Sequence, residues 1–175
     1  MKTLISILFS FGVLISSIAK ANDKMFLHNG KTLECKIIKV NEFSLEFKYI
    51  GEDAEQTIGK YAVAKVEYSS GRVEQMSEKV IVTGKDDWEK VVIVEDIVAI
   101  AGMKKAGEIT GKTSGVFGYH TAASADKKAL RKLKEAAAEM GAAYILITGE
   151  KDARASQGVG LGSAQGLKKG VGYTY

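Results

Sequence analysis

Four groups of residues in this chain have types and spacings that could carry chemistry, and each would need its own setting. Ala106-Gly107-Glu108-Ile109-Thr110-Gly111-Lys112-Thr113 satisfies the looser form of the phosphate-binding glycine loop, with Ala106 in place of the first glycine. Such a loop works because backbone N–H groups at the start of a helix face the phosphates directly after the Gly-Lys-Thr. Here Ser114-Gly115-Val116-Phe117-Gly118 follows, which is a poor helix start, so the stretch reads as a strand with a glycine turn. His28 and His120 are the only imidazoles, and either could be paired on paper with a serine as a hydrolase base. No Gly-x-Ser-x-Gly segment supports a particular triad. His28 reads as a turn residue and His120 as a loop residue, both exposed and polar. A small hydrolase using His120 is the runner-up reading. A metal module ranks third, because the two histidines lie far apart and Cys35 has no ligand-bearing neighbour at zinc spacing. Asp86-Asp87 and Glu95-Asp96 have no calcium-loop spacing and read as solvated loop carboxylates. The reading assigns no catalytic residue, no metal ligand and no cofactor.

The fourth group is cationic. At about 100° per helical residue, Lys127, Arg131 and Lys134 share one face, flanked by Lys128 and Lys132 and opposite Leu130 and Leu133. Such a face suits an envelope protein with an acidic surface or an anionic glycolipid. Glu135 and Glu139 interrupt the patch, and the plain alternative is the solvated outside of an amphipathic helix.

The elements that would position these residues follow from the apolar period. From residue 25 to 76 that period is two, as in half-buried strands. Asn29-Gly30 is a turn signal, Leu33, Cys35 and Ile37 alternate with Glu34 and Lys36, and the break at Ile37-Ile38 suits a bulge. Leu45, Phe47 and Tyr49 alternate with Glu46 and Lys48, and Val66 and Tyr68 with Lys65 and Glu67. Residues 22–78 are therefore a β-module, a small sheet or partly open barrel. A soft boundary falls at residues 77–85, with Trp88 placed at the junction. Residues 85–150 read as a second unit. Val91 to Val94 suits a buried strand. A helix over 125–140 is capped by Ser124 and closed by Gly141, with Leu130, Leu133, Ala137 and Met140 on its core stripe. Ala143 to Thr148 then returns as a strand, which gives one main helix on a sheet and an α+β class. Residues 151–175 are Gly-rich and read as a tail or an edge strand.

Location comes from the first 21 residues. Lys2, an apolar run over 4–18 and the small-x-small site Ala19-Lys20-Ala21 form a signal peptide, so the working protein is expected to start at Asn22, outside the cytoplasm. The run is short for a membrane anchor, and the rest of the chain has no transmembrane span. Beyond the leader the formal charge is +2, which gives no reason to expect nucleic acid. The single Cys35 can form no disulfide within the chain, and its place on the apolar face of a strand makes it a buried, inert thiol.

Leu27, Asn29, Gly30, Leu33, Lys36, Ile37, Tyr49, Val66, Tyr68 and Gly71 resemble a small β-module of exported Bacteroidota-type envelope proteins. The resemblance implies a fold and an envelope location, with no catalytic residue. The second half carries Gly107-Glu108-Ile109-Thr110-Gly111, the Ala- and Leu-rich helix from Asp126, and Met140-Gly141-Ala142-Ala143-Tyr144-Ile145-Leu146. In this it resembles the YbjQ-like domains and the stress-sensor lipoprotein of the Rcs phosphorelay. That implies a helix packed on a small sheet and a binding or sensing role. The chain lacks the sensor's disulfide-forming and lipid-bearing cysteines, so neither redox sensing nor lipid anchoring is implied. Together these readings give an exported periplasmic or cell-envelope protein of a Gram-negative bacterium that binds, senses or assembles without catalysis.

Overall fold

The computed structural model describes residues 22–113, 122–151 and 166–175. Residues 1–21, expected to be a signal peptide, residues 114–121 with His120, and residues 152–165 lie outside the described residues.

Six antiparallel strands build the first sheet: β1 (Asp23–Leu27), β2 (Thr32–Val40), β3 (Ser44–Tyr49), β4 (Glu55–Gly59), β5 (Val63–Glu67) and β6 (Val73–Gln75). Their order is β4-β3-β2-β1-β5-β6, an open sheet with β4 and β6 at its edges. The Asn29-Gly30 turn forms as expected, with Gly30 at φ 88° and Asn29 Oδ1 accepting the Lys31 N–H at 3.0 Å. Pairing of β2 with β3 jumps from Ile37 opposite Phe47 to Lys39 opposite Glu46, so Ile38 is the bulged residue. Met25, Cys35, Leu45, Val63 and Val66 are fully buried in this core. The buried Asp23 pins its rim, accepting the N–H of Ile37 at 2.9 Å and of Ser69 at 2.7 Å.

The second half adds β7 (Val92–Val94), β8 (Lys104–Lys112), helix α1 (Ala122–Glu139), β9 (Tyr144–Lys151) and β10 (Leu167–Thr174), with 3-10 turns at Lys85–Lys90 and Ile97–Ile100. The sheet order is β7-β9-β10-β8. The class is therefore α+β, with an N-terminal sheet and one main helix laid on a second sheet. Three expectations are corrected here. Of the Gly-rich stretch read as tail or edge strand, residues 167–174 are neither, because β10 is an interior strand paired with β8 and β9, so the second sheet extends to Thr174 and does not close at residue 150. The helix starts at Ala122, which places Ser124 inside its first turn and not at the cap. Its core stripe is Ala125, Ala129, Leu133 and Ala137, spaced by four, while Leu130 is half-buried and Met140 is 44% exposed. Gly141 does close the helix at φ 69°, with the Ala142 N–H reaching back to the Ala137 carbonyl at 2.9 Å and the Gly141 N–H to that of Ala138 at 3.0 Å.

Alanine on the helix and glycine on the strand belong together. A Cβ at Gly111 would fall on the Ala129 carbonyl oxygen, and one at Gly166 would lie 2.9 Å from that of Ala125. The residues that imitate a phosphate loop thus run through β8 as the seat of the helix, with no turn.

The two halves meet mainly through the 3-10 turns Lys60–Ala62 and Ile97–Ile100. The Gly59 N–H donates to the Ala101 carbonyl at 2.9 Å, and the rings of Tyr61 and Tyr144 lie 4.8 Å apart. Tyr144 and Tyr175 share a hydroxyl contact of 2.9 Å, and the Val80 N–H donates to the Tyr175 hydroxyl at 2.9 Å. Trp88 is not at this junction. It packs beside Val91, Ile109, Leu133, Ala137 and Ala138, under the helix.

Candidate functional site

Of the five cations proposed from the sequence, the fold gathers three. Lys128, Arg131 and Lys132 line a surface groove of about 390 Å³ together with Thr113 and Glu135. Lys127 and Lys134 lie outside it, Lys127 exposed and Lys134 half-buried. A helical wheel counts every residue of a face as free, but the 3-10 turn Lys85–Lys90 packs on one side of α1 and splits the face.

Two of the three cations are held in place. The Arg131 guanidinium lies 4.9 Å above the Trp88 ring, and its Nε donates to Glu135 Oε1 at 2.7 Å. With Nε engaged on Glu135, neither terminal nitrogen of the fork has a partner among the described residues, the arrangement in which arginine grips phosphate or carboxylate. Lys132 Nζ donates to the Lys112 carbonyl at 3.0 Å, anchoring its stem over the end of β8. Lys128 makes no ion pair among the described residues. Thr113 is buried and committed, its hydroxyl accepting the Gly166 N–H at 2.9 Å. Three cations therefore face one carboxylate, and Glu135 also meets Lys85 at 3.9 Å. The groove is suited to an anion with several oxygens. Trp88 was not readable as part of a site, since its contact depends on the 3-10 turn docking beside the helix, whereas Glu135, four residues on from Arg131, reads in the sequence only as an interruption of the patch.

His28 corrects a second expectation. It is 8% exposed, not a surface residue, and its Nε2 lies 2.9 Å from Ser77 Oγ. That pair has the separation of a nucleophile and its base. Its proton geometry is reversed, however. Ser77 Oγ lies 2.8 Å from the Val63 carbonyl and 3.0 Å from that of Lys60, acceptors that take its single proton. The imidazole then donates through Nε2–H and has no lone pair facing the hydroxyl. Burial and the nearby Lys79 charge lower the His28 pKa, against the opposing effect of the Ser77 backbone. The ring rests 5.0 Å from that of Tyr175. This is a structural peg between the sheets.

The remaining sequence candidates fall apart in space. Cys35 is fully buried, and burial with the Asp23 charge pushes its thiol up to about 11. Asp87 is not simply solvated: Lys90 Nζ lies 2.6 Å from it and Thr83 donates both its hydroxyl and its N–H, which together hold its carboxyl well below the usual range. Among the described residues no three His, Cys, Asp or Glu side chains converge on a point where a metal could sit, and no helix is long and apolar enough to cross a membrane. Comparison with protein-family models, with curated proteins and with solved structures gives no match to this chain.

Proposed function

We propose that the protein is exported to the cell envelope of a Gram-negative bacterium and acts there as a non-catalytic recognition module, holding an anionic partner in the groove of Lys128, Arg131 and Lys132. The observation that carries this reading is Arg131, set over the Trp88 ring and braced by Glu135, its terminal nitrogens without a partner among the described residues and beside two lysines. An arginine held this way loses little side-chain freedom on binding, which favours phosphate or carboxylate over a loose cloud of surface charge. The chemistry is that of a glycolipid phosphate or an acidic face on an envelope protein. The reversed proton geometry at Ser77 speaks against using His28 for hydrolysis, and a hydrolase would have to rest on His120.

The experiment is to express the full chain with a C-terminal tag, determine the N-terminus of the exported protein, crosslink in intact cells and identify what co-purifies. A start at Asn22 and a reproducible glycolipid or acidic protein are expected, the capture being lost in the Lys128→Glu, Arg131→Glu, Lys132→Glu triple variant. Retention of the same partner by that variant would remove the groove from the proposal. A cytoplasmic, unprocessed chain would remove the location.

A further inference from the structure

Residues 79–83 carry a strand pattern without a strand partner. Val80 and Val82 turn inward onto the cores of the second half, while Lys79, Ile81 and Thr83 point out, and Ile81 is 60% exposed. The segment is fixed at both ends: the Val80 N–H donates to the Tyr175 hydroxyl at 2.9 Å and the Thr83 N–H to Asp87 Oδ2 at 2.9 Å. Between those pins, the N–H groups of Ile81 and Val82 and the carbonyls of Val80, Ile81 and Val82 have no partner among the described residues. They border a cleft of about 540 Å³ at the junction of the sheets, with the Asn29-Gly30 turn on its far wall and the Tyr175 ring beside it. Lys79 Nζ stands 5.6 Å from the centroid of that ring and makes no ion pair among the described residues.

We propose that this cleft binds an extended acidic peptide segment, which adds as a strand along residues 79–83 with a carboxylate at Lys79 and an apolar side chain over Ile81. Successive residues of an extended segment face opposite edges, so a single added strand meets the free N–H and carbonyl of Ile81, the pair of bonds on which strand addition is built. Lys79 selects the charge. A second copy of the chain fits less well, because antiparallel self-pairing centred on Ile81 sets Lys79 opposite Thr83 and leaves both lysines without a carboxylate. The site is separate from the basic groove on α1 and does not depend on it.

The test uses the chain from Asn22 to Tyr175 and an end-blocked, fluorescent heptapeptide alternating Val or Ile with Asp. Two control peptides are its Asp-to-Lys counterpart and a copy N-methylated at alternate amides. Fluorescence anisotropy should show binding of the acidic peptide, weakened on the order of tenfold by N-methylation, since two or so backbone hydrogen bonds are lost. Ile81→Pro removes an N–H that has no internal partner and should weaken binding similarly, with Ile81→Ala retaining most of it. Lys79→Glu should invert the preference between the acidic and basic peptides, and it tests the proposal even where the proline variant loses its fold. The triple variant of Lys128, Arg131 and Lys132 should bind the peptide unchanged. No binding at millimolar peptide, equal binding of the N-methylated copy, or dimerisation in sedimentation that Ile81→Pro abolishes would each overturn the proposal.

Discussion

Lys168 should contribute less to stability than the two carboxylates that hold it. Its side chain is 7% exposed, and its Nζ lies 3.0 Å from Glu150 Oε1 and 3.2 Å from Asp126 Oδ2, whose side chains are 45% and 41% exposed. The ammonium is thus the buried member, tying interior strand β10 to β9 and to the N-terminal part of α1. Lys168→Met leaves two carboxylates that water can reach, and the loss of two partly screened contacts costs about 1–2 kcal/mol. Asp126→Asn combined with Glu150→Gln leaves a charge in a dry site with only neutral acceptors. That costs about 3 kcal/mol, the low end for an uncompensated buried charge because the site opens to water on the carboxylate side. In a chain of this size about 1 kcal/mol moves the melting temperature by roughly 2–4 °C, so the double variant should melt about 6–12 °C lower. Circular dichroism melts of the three proteins at neutral pH measure this. A larger loss in Lys168→Met than in the double variant would refute the argument. The alkaline limb gives an independent check. Burial alone lowers the Lys168 pKa, but the hydrogen bonds and charges of Glu150 and Asp126 carry it above the ordinary 10.5. A lysine raised on folding binds its proton more tightly in the native state, so its contribution is complete below 10.5 and is lost as pH climbs through the higher native value. Lys168→Met should lack that loss.

Three further outcomes are expected. Cys35, fully buried with its thiol pushed up to about 11, should resist iodoacetamide at pH 8 in the native protein and react promptly in denaturant, as intact mass will show; prompt native labelling would place it at the surface. His28, with a pKa lowered from 6.5 by burial and by Lys79, keeps its full contribution above that value and loses it as pH falls, because the unfolded chain takes up the proton first. Urea midpoints at pH 8 and pH 5.5 should therefore differ more in the wild type than in His28→Gln. Finally, Gly111→Ala should cost about 1–3 kcal/mol or more, since its methyl meets the fixed backbone of Ala129 and Leu133, whereas Gly107→Ala meets only the flexible end of Met140 and should cost under about 1 kcal/mol. Thermal melts that rank the two the other way would contradict the packing described for the helix.

What was legible follows from how each element buries its apolar side. The strands of the first sheet have one buried face, so Leu33, Cys35 and Ile37, then Leu45 and Phe47, state their period outright, and the slip at Ile38 was visible as a broken alternation. The second sheet hides its pattern. The helix approaches β8 at Gly111 and the start of β10 at Gly166 too closely for a side chain, Gly170 and Gly172 are pressed by Ile145, Leu146 and Ala142, and such a run of glycines has the composition of a linker. For the same reason the core stripe of α1 is mostly alanine, and a search for large apolar residues settles on Leu130 and Met140 instead. The cationic face was found as a set of five, because periodicity locates a face but not what packs beside it. The 3-10 turn with Trp88 selects three of the five, and nothing in the spacing of Trp88 from Arg131 announces that contact.

That selection bears on specificity. Free lysines on a helix present charge without position, and their contribution falls with salt. Here the helix is clamped near its N-terminal end by Lys168 through Asp126, seated through Gly111, and closed by the Gly141 turn, so Arg131 and Lys132 project from a rigid element. Lys127 and Lys134 stand outside the groove and have no such brace among the described residues. Neutralising Lys127 and Lys134 should therefore lower only the salt-sensitive part of partner binding, whereas Arg131→Lys, which keeps the charge and loses the fork, should weaken binding by about tenfold at every salt concentration. Equal salt slopes together with an unchanged affinity for Arg131→Lys would mean that the groove works by charge alone.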